Sequence, residues 1–148
     1  MNSKIISVAI FLFLWEVPKS FGLDVHEQNC LASAIYNEAR GEKLEGQYGV
    51  GEVILNRMKA GIALSVCSVI GQHRGKHWQF GFKQIGTRKI PPKSRPHFYE
   101  IAEKLLSGEH KNYFPATVLY FNNIAFKSKK FHLYRKIGHQ RFYFMKNF

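Results

Sequence analysis

The chain has 148 residues, which fits one folded domain better than two. Its content of 45% hydrophobic and 15% aromatic residues excludes an intrinsically disordered chain. The formal net charge of +12 predicts attraction to polyanions, and nucleic acid, anionic lipid and an acidic cell-wall polymer all meet that description. Charge alone therefore does not select a partner.

The first 22 residues have the pattern of a secretory signal peptide. Lys4 precedes an apolar run from Ile5 to Trp15, and small residues follow where a signal peptidase would cut. The run is short for a membrane span, which needs about 20 apolar residues. We expect residues 1–22 to be a signal peptide and residues 23–148 to be one domain. An uncleaved membrane anchor and a buried N-terminal helix are the alternatives.

Two helices are predicted in the first half of the chain, over residues 26–39 and 44–58. The first prediction rests on one face spaced i, i+3, i+4 and i+7: Leu31, Ala34, Ile35 and Glu38. The second helix is apolar on two sides, so we expect it at the centre of the core. Gly49 and Gly51 inside it predict the close approach of another backbone.

The only two cysteines, Cys30 and Cys67, form an even pair in a chain expected to be exported. Export places thiols in an oxidising environment, so the pair predicts one disulfide bond. Two buried free thiols are the alternative.

Further along the chain, Ser65 is predicted to cap a short helix that ends near Ile70. Residues 71–92 are rich in glycine, lysine and aromatics and are predicted to be mostly loop. A third long helix should have Pro96 in its first turn and end at Gly108.

The last third of the chain is predicted to be extended. Residues 117–123 are strand-like, and residues 132–145 form two β-prone pieces around a turn at Gly138. The fold class predicted from these elements is α+β, mainly helical with a small β-hairpin region.

Glu38 is the residue that the pattern singles out for chemistry. It ends the apolar face of its own helix, so its carboxyl group should meet the edge of the core. Partial burial in general raises the pKa of a carboxyl group, and a protonated glutamate can give its proton to a leaving oxygen. The alternative is an ordinary salt bridge to Arg40 or Arg57.

Other acids have simpler explanations. Glu42 and Glu45 precede or begin the second helix and suit its dipole, although Glu42 could also form hydrogen bonds within a site. Glu52 should pair with a neighbouring cation. No acid lies between Glu52 and Glu100, so a partner carboxylate for a two-acid glycosidase is not evident. A single-glutamate mechanism fits this sequence better.

Two further motifs give weaker indications of function. His73 and His77 have the spacing of a helical metal site, but they lie in a glycine-rich segment without a nearby acid or cysteine. The basic and aromatic C-terminal segment from residue 126 onward could bind nucleic acid. A solvated positive face over aromatic core positions explains it as well.

Four blocks of sequence resemble the SleB-like cell wall hydrolases, the family that includes spore-cortex-lytic enzymes. The first is "CLASAIYNEARGEKLEGQYGVGEVILNRM", and the second is "SVCSVI" followed by "WQF". "VLYFNN" and "IGHQRFY" are similar to the two late blocks. The likeness runs in order from Cys30 to Tyr143.

This resemblance implies a lysozyme-like α+β domain that cleaves the glycan strands of peptidoglycan. It implies a lytic transglycosylase that forms 1,6-anhydro-muramic ends, with Glu38 as the single general acid/base and no metal or organic cofactor. The residues of the matching blocks that would bind substrate are Glu42, Gln47, Gln79, Phe80, Tyr120, Asn122, His139 and Tyr143.

The expected protein is therefore an exported, monomeric enzyme of the periplasm, cell wall or extracellular space. Its substrate would be peptidoglycan, with no nucleic acid partner and membrane contact only through an uncleaved N-terminal segment. A bacterial wall-remodelling enzyme and a phage endolysin both fit. The alternatives are a hydrolysing muramidase and a non-catalytic basic protein that binds cell wall or nucleic acid.

Overall fold

A computed structural model of the chain describes residues 24–74, 77–78, 80 and 89–146. The predicted signal peptide, residues 1–22, lies outside the described residues. The helices are α1 (Val25–Ala39), α2 (Leu44–Lys59), α3 (Val66–Ile70) and α4 (Arg95–Ser107). The strands are β1 (His73–Arg74), β2 (His77–Trp78), β3 (Tyr120–Asn122), β4 (Phe131–Ile137) and β5 (Gln140–Met145).

Local sequence signals set the helix ends. The Asp24 side chain accepts a hydrogen bond from the His26 backbone N–H at 2.8 Å, which caps α1. Ser65 and Ser68 form a reciprocal capping box at the start of α3. Gly108 ends α4 in the left-handed conformation with φ of 78°, which glycine adopts without strain. The predicted helices are confirmed to within a few residues.

Helix α2 lies at the centre of the core, as predicted, with every residue from Gly46 to Arg57 buried. The close approach expected at its glycines comes from side chains, so the prediction of an approaching backbone was wrong. A Cβ added to Gly49 would lie 2.8 Å from Phe142 Cζ and 2.9 Å from Phe114 Cε2. A Cβ added to Gly51 would meet the side chains of Leu105 and Ile35.

The same helix carries a buried carboxylate, Glu52, whose side chain is only 2% exposed. Its Oε1 lies 2.8 Å from His110 Nε2, which supplies the cationic partner expected from the sequence when that ring is protonated. Its Oε2 accepts a hydrogen bond from the Phe114 backbone N–H at 2.9 Å. These contacts tie the segment after α4 to the core and leave the buried charge hydrogen-bonded.

The extended region is a three-stranded antiparallel sheet in the order β3-β5-β4. Tyr120 pairs with Tyr143, and Ile137 pairs with Gln140 across the turn of the predicted hairpin. With β1 and β2 forming a separate two-stranded ladder, the α+β class dominated by helices is confirmed. Within the described residues, none of the helices has both the length and the apolar character needed to span a bilayer.

A disulfide joins Cys30 of α1 to Cys67 of α3, which confirms the predicted bond. It links two helices whose cysteines are 37 residues apart in the chain. Closing a loop of this length restricts the unfolded chain and thereby favours the folded state.

The disulfide should contribute substantially to stability. We expect the Cys30→Ser/Cys67→Ser double variant to lose about 4 kcal/mol of unfolding free energy, because the unfolded chain regains the entropy of an open loop. Urea unfolding of both proteins, with and without reductant, measures the difference. Equal midpoints for the oxidised wild type and the double variant would contradict this expectation.

Candidate active site

A cavity of about 500 Å³ opens between the C-terminal end of α1, the middle of α2 and the sheet. Four residues predicted for the site line it together: Glu38, Phe80, Tyr120 and Asn122. The rest of the described wall consists of Asn37, Val53, Arg57, Leu119, Phe121, Asn123, Phe126 and Gln140. The cavity therefore combines one acid, one cation, several amides and several aromatic rings.

Glu38 reaches this cavity because it lies one residue before the end of α1, on the face that continues the buried stripe. Its side chain is half-buried, as the helical phase predicted. Its backbone carbonyl accepts a hydrogen bond from Gln140 Nε2 at 3.0 Å, although the two residues are 102 positions apart. Glu38 is the one carboxylate among the described residues of the cavity wall.

Arg57 places a buried cation in the same wall. Its Nη1 donates to the Leu119 carbonyl at 3.3 Å, and its Nη2 donates to Gln72 Oε1 at 2.7 Å. The guanidinium also lies 5.7 Å from the centre of the Tyr120 ring and 5.9 Å from that of Phe80. Burial lowers the pKa of Arg57 and the proximity of Tyr120 partly offsets this, but an arginine remains charged at neutral pH.

Three predicted substrate-binding residues lie outside the cavity wall and hold the surrounding elements together. Glu42 Oε2 accepts a hydrogen bond from the His139 backbone N–H at 3.0 Å, and Glu42 Oε1 lies 3.1 Å from Nδ1 of the His139 ring. Gln47 is buried, donates to the Glu42 carbonyl at 3.0 Å and contacts His97 Nε2 at 2.6 Å. The contacts of Glu42 with His139 therefore join the α1–α2 turn to the hairpin, and the contact of Gln47 with His97 joins α2 to α4.

Two further predicted residues have different positions. Tyr143 is buried, and its ring centre lies 4.8 Å from that of Phe126, a residue of the cavity wall. Tyr143 also pairs with Tyr120 across the sheet, so it supports the wall from behind. Gln79 lies outside the described residues.

Two amide residues of the wall, Asn37 and Gln140, were missed by the reasoning from sequence. Asn37 immediately precedes Glu38, and Gln140 immediately follows His139 in the last block. Residues 140, 142 and 143 of β5 are all buried, so alternation along the strand does not single out Gln140.

Metal binding has little support among the described residues. One group there, His26, Cys30 and Cys67, is close enough to hold an ion, but the disulfide uses both of its sulfur atoms. His73 and His77 lie on two paired strands, so the helical spacing noted in the sequence does not apply to them.

Comparison with known families decides the class of the protein. A profile of the family described as Cell Wall Hydrolase matches residues 41–143, which is more than half of the chain. The chain belongs to the cell wall hydrolase family. This cell wall hydrolase matches no curated protein and no solved structure. The matched region holds most of the cavity wall, and Glu38 lies three residues before it.

The turn that Glu42 holds has a strict steric requirement in this cell wall hydrolase. Gly138 has φ of 59°, and a Cβ added there would collide with Glu42 Oε2. We expect Gly138→Ala to destabilise the wild type by about 3 kcal/mol, because backbone strain adds to the displaced carboxylate.

The same substitution in a Glu42→Ala background should cost only about 1 kcal/mol, because the strain remains but the collision is gone. A double-mutant cycle measured by urea unfolding gives both values. Equal costs in the two backgrounds would mean that Glu42 does not define this turn.

Proposed function

We propose that this cell wall hydrolase cleaves the glycan strands of peptidoglycan as a lytic transglycosylase, with Glu38 as its single general acid/base. The observation that carries the proposal is the placement of Glu38 as the one carboxylate in the described cavity wall. The chain contains no aspartate or glutamate between Glu52 and Glu100, so the undescribed residues 75–76, 79 and 81–88 cannot supply a second one.

In the first step, the Glu38 carboxyl group gives its proton to the oxygen that bridges two sugars, and the bond from that oxygen to C1 of muramic acid breaks. The departing sugar leaves as an alcohol, and positive charge develops on C1 and the ring oxygen. The Glu38 carboxylate then takes the proton of the C6 hydroxyl on the same muramic acid as O6 bonds to C1. The product is a 1,6-anhydro sugar, Glu38 is protonated again, and no water is consumed.

The remainder of the wall suits a sugar polymer. Aromatic side chains supply apolar surface for the faces of sugar rings, while amides and a cation supply hydrogen bonds at their edges. The wall carries four such aromatics: Phe80, Tyr120, Phe121 and Phe126. This mixture supports an uncharged, hydroxyl-rich substrate over a nucleic acid, which would need exposed cations along the groove.

A hydrolysing muramidase is the alternative within enzymes. An enzyme of that kind that uses two carboxylates needs the second one to activate water or to form a covalent intermediate. The lack of another carboxylate in the described wall favours attack by the substrate's own hydroxyl. The alternative from another class is a non-catalytic wall-binding protein, for which the charge of +12 would supply the attraction to an acidic wall.

Export belongs to the same proposal, because peptidoglycan lies outside the cytoplasmic membrane. The pattern of residues 1–22 supports a signal peptide or an N-terminal anchor, with residues 23–148 as the catalytic domain. Wall remodelling in a bacterium and lysis by a phage endolysin would use the same chemistry.

Replacement of the proposed acid tests this function directly. We expect Glu38→Gln to reduce the rate of wall solubilisation by at least about 100-fold, because the amide cannot donate the required proton. Release of soluble glycan fragments from purified peptidoglycan measures the rate, and sedimentation with the same wall measures binding.

Glu103→Gln is the matched control, since Glu103 is an exposed glutamate of α4 outside the cavity wall. The control should retain wild-type activity, and Glu38→Gln should still sediment with the wall. Undiminished lysis by Glu38→Gln would contradict the catalytic role and leave the binding protein as the better explanation.

A further inference from the structure

The unsatisfied polar atoms of this protein are concentrated at one place. Within the described residues, three buried side-chain atoms lack a hydrogen-bond partner: Asn37 Oδ1, Arg57 Nε and Gln140 Oε1. All three residues line the cavity that contains Glu38. Folded proteins pair almost all such atoms, since a buried polar atom without a partner is destabilising. Their concentration on one wall indicates a set of groups that a ligand completes.

The orientation of the two amides follows from their other contacts. Asn37 Nδ2 donates to the Ser33 carbonyl at 2.8 Å, and Gln140 Nε2 donates to the Glu38 carbonyl at 3.0 Å. A flipped amide would place oxygen against a carbonyl oxygen, so these assignments are the favourable ones. Each residue therefore offers an amide oxygen, which is a hydrogen-bond acceptor.

Arg57 offers the complementary group. Both terminal nitrogens are held by Leu119 and Gln72, which fixes the plane of the guanidinium and leaves its Nε–H as the unpartnered donor. The residue is 6% exposed, as is Gln140, so both are built into the wall. The three atoms are themselves covered, and binding must therefore involve a small rotation of these side chains toward the cavity.

We propose that Asn37, Arg57 and Gln140 recognise the 2-acetamido group of the sugar bound beside Glu38. The inference rests on the proposed function, since it assumes a peptidoglycan glycan strand as substrate. The acetamido carbonyl would accept from Arg57 Nε–H. Its N–H and a neighbouring sugar hydroxyl would donate to the two amide oxygens.

The count of donors and acceptors excludes charged ligand groups. One donor and two acceptors on the wall require a ligand with one acceptor and two donors. A carboxylate offers only acceptors and would meet two amide oxygens unfavourably. The ammonium group of a de-N-acetylated sugar would meet the buried Arg57 cation, which repels it. The acetamido group supplies the acceptor and one donor, and the neighbouring hydroxyl supplies the second donor. Two hydroxyls match the same count, so the comparison of 2-acetamido with 2-hydroxyl sugars decides between these ligands.

A binding experiment with two neutral oligosaccharides tests the assignment. The full chain carrying Glu38→Gln would be titrated with chitopentaose, whose sugars carry 2-acetamido groups, and with cellopentaose, whose sugars carry 2-hydroxyl groups. We expect chitopentaose to bind at least tenfold more tightly. Adding Asn37→Leu or Gln140→Met should weaken chitopentaose binding about fivefold each and leave cellopentaose binding unchanged.

Asn112→Leu is the matched control, because Asn112 is an exposed amide outside the cavity wall, and it should change neither affinity. Gln140→Met also removes the bond to the Glu38 carbonyl, so thermal unfolding should accompany each titration. If Gln140→Met fails to fold, the titration of Asn37→Leu tests the proposal alone. That variant loses only a hydrogen bond to Ser33 within one turn of α1, and this bond joins no distant parts of the fold. Equal affinities of the protein for the two oligosaccharides would overturn the proposal. Equal losses of affinity for chitopentaose and cellopentaose in the Asn37 or Gln140 variants would also overturn it.

Failure of this inference and failure of the proposed function give different results. Acetamido-dependent binding together with undiminished wall lysis by Glu38→Gln would remove the catalytic proposal and keep the recognition site. Loss of lysis in Glu38→Gln, with no preference between the two sugars, would keep the catalytic acid and remove the recognition site.

Discussion

The site depends on the docking of the β4–β5 turn onto the corner between α1 and α2. Two backbone-linked hydrogen bonds help to hold it there: Gln140 Nε2 donates to the Glu38 carbonyl, and the His139 backbone N–H donates to the Glu42 carboxylate. Each joins residues about a hundred positions apart, at separations of 102 and 97. The turn thereby brings β5, the central strand of the sheet, against the end of the helix that carries the proposed acid. The cavity is the space enclosed by this docking.

The other side of the cavity is set by hydrogen bonds from α2. Asn56 donates to the carbonyls of Pro115 and Val118, and Arg57 donates to the carbonyl of Leu119. The side chains of one helix therefore supply hydrogen-bond donors to the backbone carbonyls just before β3. These bonds explain why two polar residues are buried side by side near the C-terminal end of α2. The same bonds leave Arg57 fixed in the wall, where its charge can act on a bound ligand without further ordering of a long side chain.

Features that depend on nearby residues could be predicted from the sequence. Helix phase placed Glu38 at the core edge, and capping residues such as Ser65 and Gly108 fixed helix ends, because the partners lie within one turn. Contacts between distant segments could not be predicted in the same way. Glu42 had a plausible local explanation at the start of α2, yet its partner His139 lies across the fold. Gln140 gave no local chemical signal, and its importance follows only from the position of its amide beside Glu38.

We propose that one glutamate suffices because the substrate supplies its own nucleophile. Digestion of purified peptidoglycan in water enriched in oxygen-18, followed by mass spectrometry of the new glycan ends, tests this most directly. We expect 1,6-anhydro-muramic ends that contain no oxygen-18. New reducing ends that carry oxygen-18 would show that water is the nucleophile and would contradict the claim.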